Sequence, residues 1–252
     1  MTGAAPRLGV FTARGKRLCR VDDQRLAHPR TQLLHDAFRA TVLSNAYPCV
    51  LGSSVLRHDN YAFAVYSGLG EADAAARLAA DLEWFVHTDP LPRTRRRPFT
   101  TFVSVYERPL VTDEVEFERL LWKHLELVHA ADRERYGWDP TVSPDPADPY
   151  FSFSVAGRAF FVVGMHAQAP RLARRTAVPT LIFNLHEQFE QLRARGLMER
   201  MSRIIRAKDV RLQGSAYAGL EQFGEVTEAR QYAGREVDDD WRCPFQGVNR
   251  NV

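Results

Sequence analysis

The chain has 252 residues, 45% hydrophobic and 26% charged, enough for one large core. Its 34 basic and 31 acidic residues leave a net charge of +3, too even to argue for nucleic acid, which needs cations gathered on one face. No apolar run reaches membrane-spanning length, the N-terminus lacks a signal peptide's apolar stretch, and Cys19, Cys49 and Cys243 form no CxxC pair; these features predict a cytoplasmic protein with no membrane partner, disulfide framework or structural zinc.

In chain order, residues 1–25 read as a polar lead-in. Thr31 to Ser44 carries Leu33, Leu34, Phe38, Val42 and Leu43 at helical spacing. Pro48 stops that pattern, and Tyr47-Pro48-Cys49-Val50 reads as an extended entry to a turn at Gly52. Tyr61–Tyr66 and Thr100–Tyr106 are rich in aromatic and β-branched residues and predict strands. Between them lie an alanine-rich helix at Glu71–Val86 and a basic loop at Leu91–Pro98. Asp113, with Glu116 three residues on, is placed to cap a helix running through Phe117, Leu120, Leu121, His124 and Val128. A proline-rich loop follows at 137–149, with strand-forming material on both sides of it.

Phe151–Val155 and Ala159–Val163 read as a hairpin around Ala156-Gly157, and Val178–Phe183 is a further apolar run. Leu185–Arg206 is the strongest helix, and Trp241 and Phe245 are suited to pin the C-terminus to the body. Strands and helices mix without regular alternation. The reading is an α+β fold, a single domain over residues 1–252, with a mostly antiparallel sheet flanked by helices.

No phosphate-binding glycine loop, GxSxG elbow or HExxH helix is present. His166 stands where the strand FFVVGM ends, ahead of Arg171, Arg174 and Arg175. His186 opens the long helix with Glu190 one turn on, and Cys49 is a third candidate beside a proline. A histidine among arginines could ligate iron while the arginines pair with haem propionates. The bland alternative is more common: hydrogen-bonded core histidines, a solvated arginine face and a buried apolar cysteine.

Longer segments carry more information. Tyr47-Pro48-Cys49-Val50, Gly164-Met165-His166, NLHEQFEQLR from Asn184, Ile205–Asp209, Leu212–Ser215, EARQYAGR from Glu228 and Trp241–Phe245 together resemble the YqcI/YcgG family, over about Pro48 to Phe245. Characterised members of that family are haem-dependent enzymes that hydroxylate a guanidino nitrogen, among them arginine N-hydroxylases of natural-product pathways and the N-hydroxylase of guanitoxin biosynthesis. The resemblance implies a haem b monooxygenase acting on arginine or a related guanidine. It implies an iron ligand for which His166 comes first, His186 second and Cys49 third, with Arg171, Arg174 and Arg175 for the propionates. A guanidinium substrate needs carboxylates, and Glu187, Glu190, Glu225 and Glu228 lie in the family-like segments. With no flavin or iron–sulfur motif, electrons would come from an external donor or the oxidant would be peroxide; a homodimer is one open assembly. Two rival readings stand beside this one, a haem sensor or carrier without turnover and a haem-free binding protein. The chain departs from the family in two places. His166-Ala167-Gln168-Ala169-Pro170-Arg171 lacks the Pro and Ser expected after the histidine, and Ala216-Tyr217-Ala218 replaces an expected Asn-Pro.

Overall fold

The computed structural model describes residues 9–88, 99–109, 113–217 and 224–247. The basic loop read at 91–98 lies outside the described residues. The elements are β1 (Val10–Arg14), β2 (Arg17–Arg20), α1 (Pro29–Val42), α2 (Val50–Arg57), β3 (Tyr61–Gly68), α3 (Ala72–Thr88), β4 (Thr101–Arg108) and α4 (Glu114–Asp132). They continue with β5 (Phe153–Val155), β6 (Arg158–Met165), β7 (Thr180–Leu185), α5 (His186–Ala194), α6 (Met198–Gln213) and the single turn α7 (Ala229–Tyr232).

The strands form one sheet in the order β2-β1-β3-β4-β7-β6-β5. Only β3 and β4 pair in parallel, joined by the crossover helix α3; the other pairs are antiparallel. This is the α+β arrangement read from the sequence, and β4 and β5, which flank the proline-rich loop, belong to the same sheet. Period-two alternation gives the sheet two buried faces. Ala62, Ala64, Tyr66, Phe102, Tyr106, Phe160, Val162 and Phe183 pack with α3 and α4, whereas Phe63, Val103, Val105 and Met165 pack with α1 and α2.

Local chemistry explains several elements. The Asp113 Oδ1 accepts the Glu116 N–H at 2.7 Å and caps α4. Ala156 and Gly157 both take positive φ (53° and 71°), as a two-residue hairpin turn with right-handed strand twist requires. Trp241 and Phe245 dock against the α4 side of the core.

Three readings are corrected. Residues 10–20 are the β1–β2 hairpin, not a polar lead-in; Val10 and Leu18 are fully buried, one on each face of the sheet. The stretch after Pro48 is not an extended entry to a turn at Gly52. The Cys49 Sγ accepts the Gly52 N–H at 3.3 Å and caps the helix α2. Leu185–Arg206 is not one helix either. Gly196 at φ 65° ends α5, the Leu197 N–H turns back to the Leu192 carbonyl, and α6 starts in a new direction. Among the described residues no helix is long and apolar enough to cross a membrane.

Candidate functional site

The α1–α2 side of the sheet is hollow. A cavity of about 260 Å³, counted as space open to the centres of water molecules, lies between the sheet and the helices that cover it. Val103 of β4, Val163 of β6 and Ile182 of β7 form its floor, and Phe38, Val42 and Val55 of α1 and α2 form one wall. Met198, Met201 and Ile205 of α6 form the opposite cover.

Polar groups interrupt this shell, among them Glu228, His186, Arg171, Arg174 and Asp209. Glu228 reaches in from the residue preceding α7 and is 4% exposed. Its Oε1 accepts the Ser152 and Tyr232 hydroxyls, each at 2.6 Å. The Tyr232 hydroxyl also lies on the backbone of Phe153 and Phe160, which fixes the carboxyl to the β5–β6 hairpin. Burial dominates its titration: desolvation pushes Glu228 up to about 8, against the two hydroxyl donors that favour the ionised form.

His186 sits beside it, with Nδ1 4.0 Å from Glu228 Oε2 and Nε2 3.1 Å from Glu190 Oε1. Burial holds its pKa below the usual range, and Glu190 pulls the other way. Both ring nitrogens thus face carboxylates. Glu190 is about half exposed at the rim and also pairs with Arg193. The line Glu228–His186–Glu190 therefore joins the cavity to solvent.

On the wall, Arg171 is buried against Asp209 at 2.5 Å and also donates to the Ser215 carbonyl at 2.6 Å. The Tyr217 N–H donates to the same Asp209 at 2.8 Å, closing the corner where α6 ends. Arg174 also lines the cavity and donates to the carbonyls of Gly164 (3.0 Å) and Gln231 (3.2 Å); among the described residues it has no carboxylate partner. Cys49 belongs to the lining as well. Burial raises its pKa, while N–H groups of Leu51 and Gly52 at the α2 N-terminus favour the thiolate.

The YqcI/YcgG family model matches residues 38–246. The chain belongs to the YqcI/YcgG family. No curated protein and no solved structure matches it. The family match contains Cys49, Arg174, His186 and Glu228 and begins after the β1–β2 hairpin.

The structure separates the residues singled out in the sequence. His166 is not at the cavity. It follows the parity of Phe160, Val162 and Gly164, turns to the α4 side, and stacks on Phe117 with ring centroids 4.3 Å apart. It is fully buried, its ring nitrogens have no hydrogen-bond partner among the described residues, and burial lowers its pKa to about 4. That is a neutral core histidine. Arg175 is exposed and donates to the Ala169 carbonyl, so of the three arginines only Arg171 and Arg174 reach the cavity. Glu187 pairs with Arg158 at the surface and Glu225 is exposed; neither lines the cavity. Glu228 lines it directly, and Glu190 touches it through His186.

Sequence reasoning missed Asp209, Tyr217 and the Ser152–Tyr232 pair. Asp209 stood in a family-like segment, and as a lone acid among the arginines of a helix end it was a weak signal. Ser152 carried none, because its partner Glu228 is 76 residues away.

The cavity suits a large, flat, mostly apolar group with anionic tails. Its walls are aliphatic and sulfur-bearing, Arg174 is a cation with no acid partner among the described residues, and Cys49 offers a sulfur donor. The lining suits haem, for which Cys49 offers a sulfur and Arg174 a cation, while His186 Nε2 is already held by Glu190.

Proposed function

We propose that this chain is a haem-dependent oxygenase that N-hydroxylates arginine or a related guanidine, acting in the cytoplasm in natural-product biosynthesis. The observation that carries the reading is Glu228, a carboxyl anchored by two hydroxyls inside the cavity, where the other lining acid, Asp209, is paired with Arg171. Membership of the family supports it.

Haem b, when bound, supplies activation of dioxygen and transfer of one oxygen atom, with electrons from an external donor or with peroxide as oxidant. Cys49 would hold it, releasing its thiol proton, and Arg174 would meet a propionate. The chain's own residues do the rest. A guanidinium leaving water for this cavity loses strong hydration, and only a buried carboxylate with good geometry offsets that loss. Ser152 and Tyr232 hold Glu228 Oε1, so Oε2 is the oxygen turned toward an incoming N–H. Entry of the cation makes Glu228 ionise. His186, with Nδ1 4.0 Å from Oε2 and Nε2 3.1 Å from Glu190, stands between that proton and the rim. The surrounding aliphatic wall excludes water from the nitrogen that reacts.

The test is spectroscopic and chemical. Protein produced with a haem precursor should show a Soret band that guanidines perturb, and arginine or a relative should leave one oxygen heavier, with that oxygen on a guanidino nitrogen. Cys49→Ser should alter the spectrum far more than His166→Ala or His186→Ala. Haem-loaded protein that turns over no guanidine would make it a sensor or carrier, and protein with no Soret band would make it a haem-free binding protein.

A further inference from the structure

The helix α6 has two unlike faces. Met198, Met201, Ile205 and Asp209 recur at helical spacing and line the cavity. The opposite face carries Arg200, Arg203, Ile204, Val210 and Arg211, all exposed, with Arg195 just before the helix. Ile204 is 37% exposed and Val210 45%. No carboxylate partner is recorded among the described residues for Arg195, Arg200, Arg203 or Arg211, whereas Arg119 and Arg135 on α4 and just after it are paired.

The chain as a whole is nearly balanced, at 34 basic to 31 acidic residues, whereas residues 195–211 expose Arg195, Arg200, Arg203, Arg206 and Arg211 against the one exposed acid Glu199. The helix is also firmly seated. Asp209 is locked to Arg171, and Lys208 donates to the carbonyls of Asn45 and Tyr47, each at 3.3 Å. A seated helix with two branched aliphatics among cations has the anatomy of a small, electrostatically steered interface.

We infer that the outer face of α6 is the docking surface for a small acidic one-electron carrier protein. The inference rests on the oxygenase reading above. That reaction breaks one N–H bond and the O–O bond, forms an N–O bond and new O–H bonds, and releases water; of the four electrons that dioxygen takes up, two come from the substrate, two protons come from solvent, and two electrons come from outside. The carrier supplies them in two dockings, losing one electron each time. A carrier on α6 lies about 10 Å from the cavity, the thickness of one helix. The exposed Ile204 and Val210 among the cations suit a protein surface with an apolar centre and an acidic rim. The patch has no aromatic side chain to stack a nucleic-acid base, and none to anchor at a membrane interface.

The experiment is a binding titration, independent of turnover, of the full chain against an acidic [2Fe–2S] ferredoxin. Duplex DNA and phosphatidylglycerol vesicles are titrated in parallel. The ferredoxin should bind at low ionic strength and weaken about tenfold or more between 20 and 150 mM salt. The triple variant Arg200→Glu, Arg203→Glu, Arg211→Glu should lose at least about tenfold in affinity, with an unchanged circular dichroism spectrum. The milder pair Arg200→Gln and Arg211→Gln should lose about threefold, which covers a triple variant that misfolds. Arg119→Glu, on α4 behind the sheet, should leave affinity unchanged. An affinity indifferent to the α6 changes, or tighter binding to DNA or vesicles, overturns the inference. Ferredoxin binding through α6 by a chain that carries no haem would uphold the docking surface and count against the oxygenase; haem without such docking would do the reverse.

Discussion

The two faces of one sheet differ in what they bury. Toward α3 and α4 the packing is dense: Trp122 stacks on Tyr232 at 5.6 Å between centroids, and Phe151, Phe153 and Trp138 gather around Phe245. One buried polar chain there is fully satisfied. The Gly70 N–H donates to His124 Nδ1 at 3.1 Å, and His124 Nε2 lies 2.9 Å from the Tyr106 hydroxyl, which donates to Ser104. Toward α1, α2 and α6 the same strands present smaller aliphatics over open space, and the buried carboxyl Glu228 carries a displaced pKa. The solid face holds the strands in register so that the hollow face can keep its shape without filling it. Affinity and chemistry belong to one side, rigidity to the other.

The largest expected effect tests that division. Trp122→Ala should cost about 3–5 kcal/mol in urea or thermal unfolding, because it opens a void in a close-packed cluster. Ile205→Ala, on the cavity cover, should cost less than about 1 kcal/mol, since one side of that residue already lacks neighbours. Equal losses would mean that the two faces are not built differently.

Next comes Glu228→Gln, which should weaken guanidine binding by about two to three orders of magnitude while the protein stays folded. In the unsubstituted chain affinity should rise with pH, by up to about tenfold per unit between pH 6 and 8, and then level off as Glu228 ionises near 8. Isothermal titration at several pH values in two buffers would also read the proton released on binding. The sign for stability is opposite. A carboxyl raised from 4.5 to about 8 contributes fully below pH 4.5 and loses that contribution as pH rises to 8.

Histidines buried in the packing give the third test. Burial lowers His124 to about 3, and His35 and His166 each to about 4, from an ordinary 6.5. Groups with depressed pKa in the folded state leave stability intact above pH 6.5 and remove it as pH falls toward 4. The unfolding free energy from urea titrations should fall between pH 6.5 and 5.5 by roughly 1 kcal/mol per histidine, and His124→Gln should flatten that slope. A pH-independent midpoint would refute the neutral assignment of His166. The smallest effect belongs to the break between α5 and α6. Gly196→Ala has room for its methyl but not the backbone for it, so it should cost about 1 kcal/mol in thermal unfolding.

Much of the solid side was legible in the sequence because its signals are local. Asp113 ahead of an apolar stripe, and Ala156-Gly157 between two aromatic runs, specify a cap and a turn by short-range chemistry. The hollow side was harder. In β1 and β2 a few buried residues alternate with charged ones, and averaging over 25 residues hid the period of two. Pro48 and Gly52 argued against a helix that a sulfur cap nevertheless starts. His166 stood among arginines in the sequence, yet strand parity turned its ring away from the cavity; which face is hollow is not a property of β6 alone. Glu228 was one of four plausible acids, and only contacts with Ser152 and His186, distant in sequence, single it out.

The pairing of β4 with β7 has a consequence for how the molecule is made. Thr101 and Asn184 meet across 83 residues, and β7 lies between β4 and β6, with Ile182 on the cavity floor. A growing chain can assemble β3, α3 and β4 from neighbouring sequence, but it has no floor for the pocket until β7 has been synthesised and inserted. Loop closure over that span is slow compared with hairpin or helix formation. The binding cavity and the centre of the sheet are therefore acquired in one late event, and any cofactor must load after the ribosome has passed Leu185.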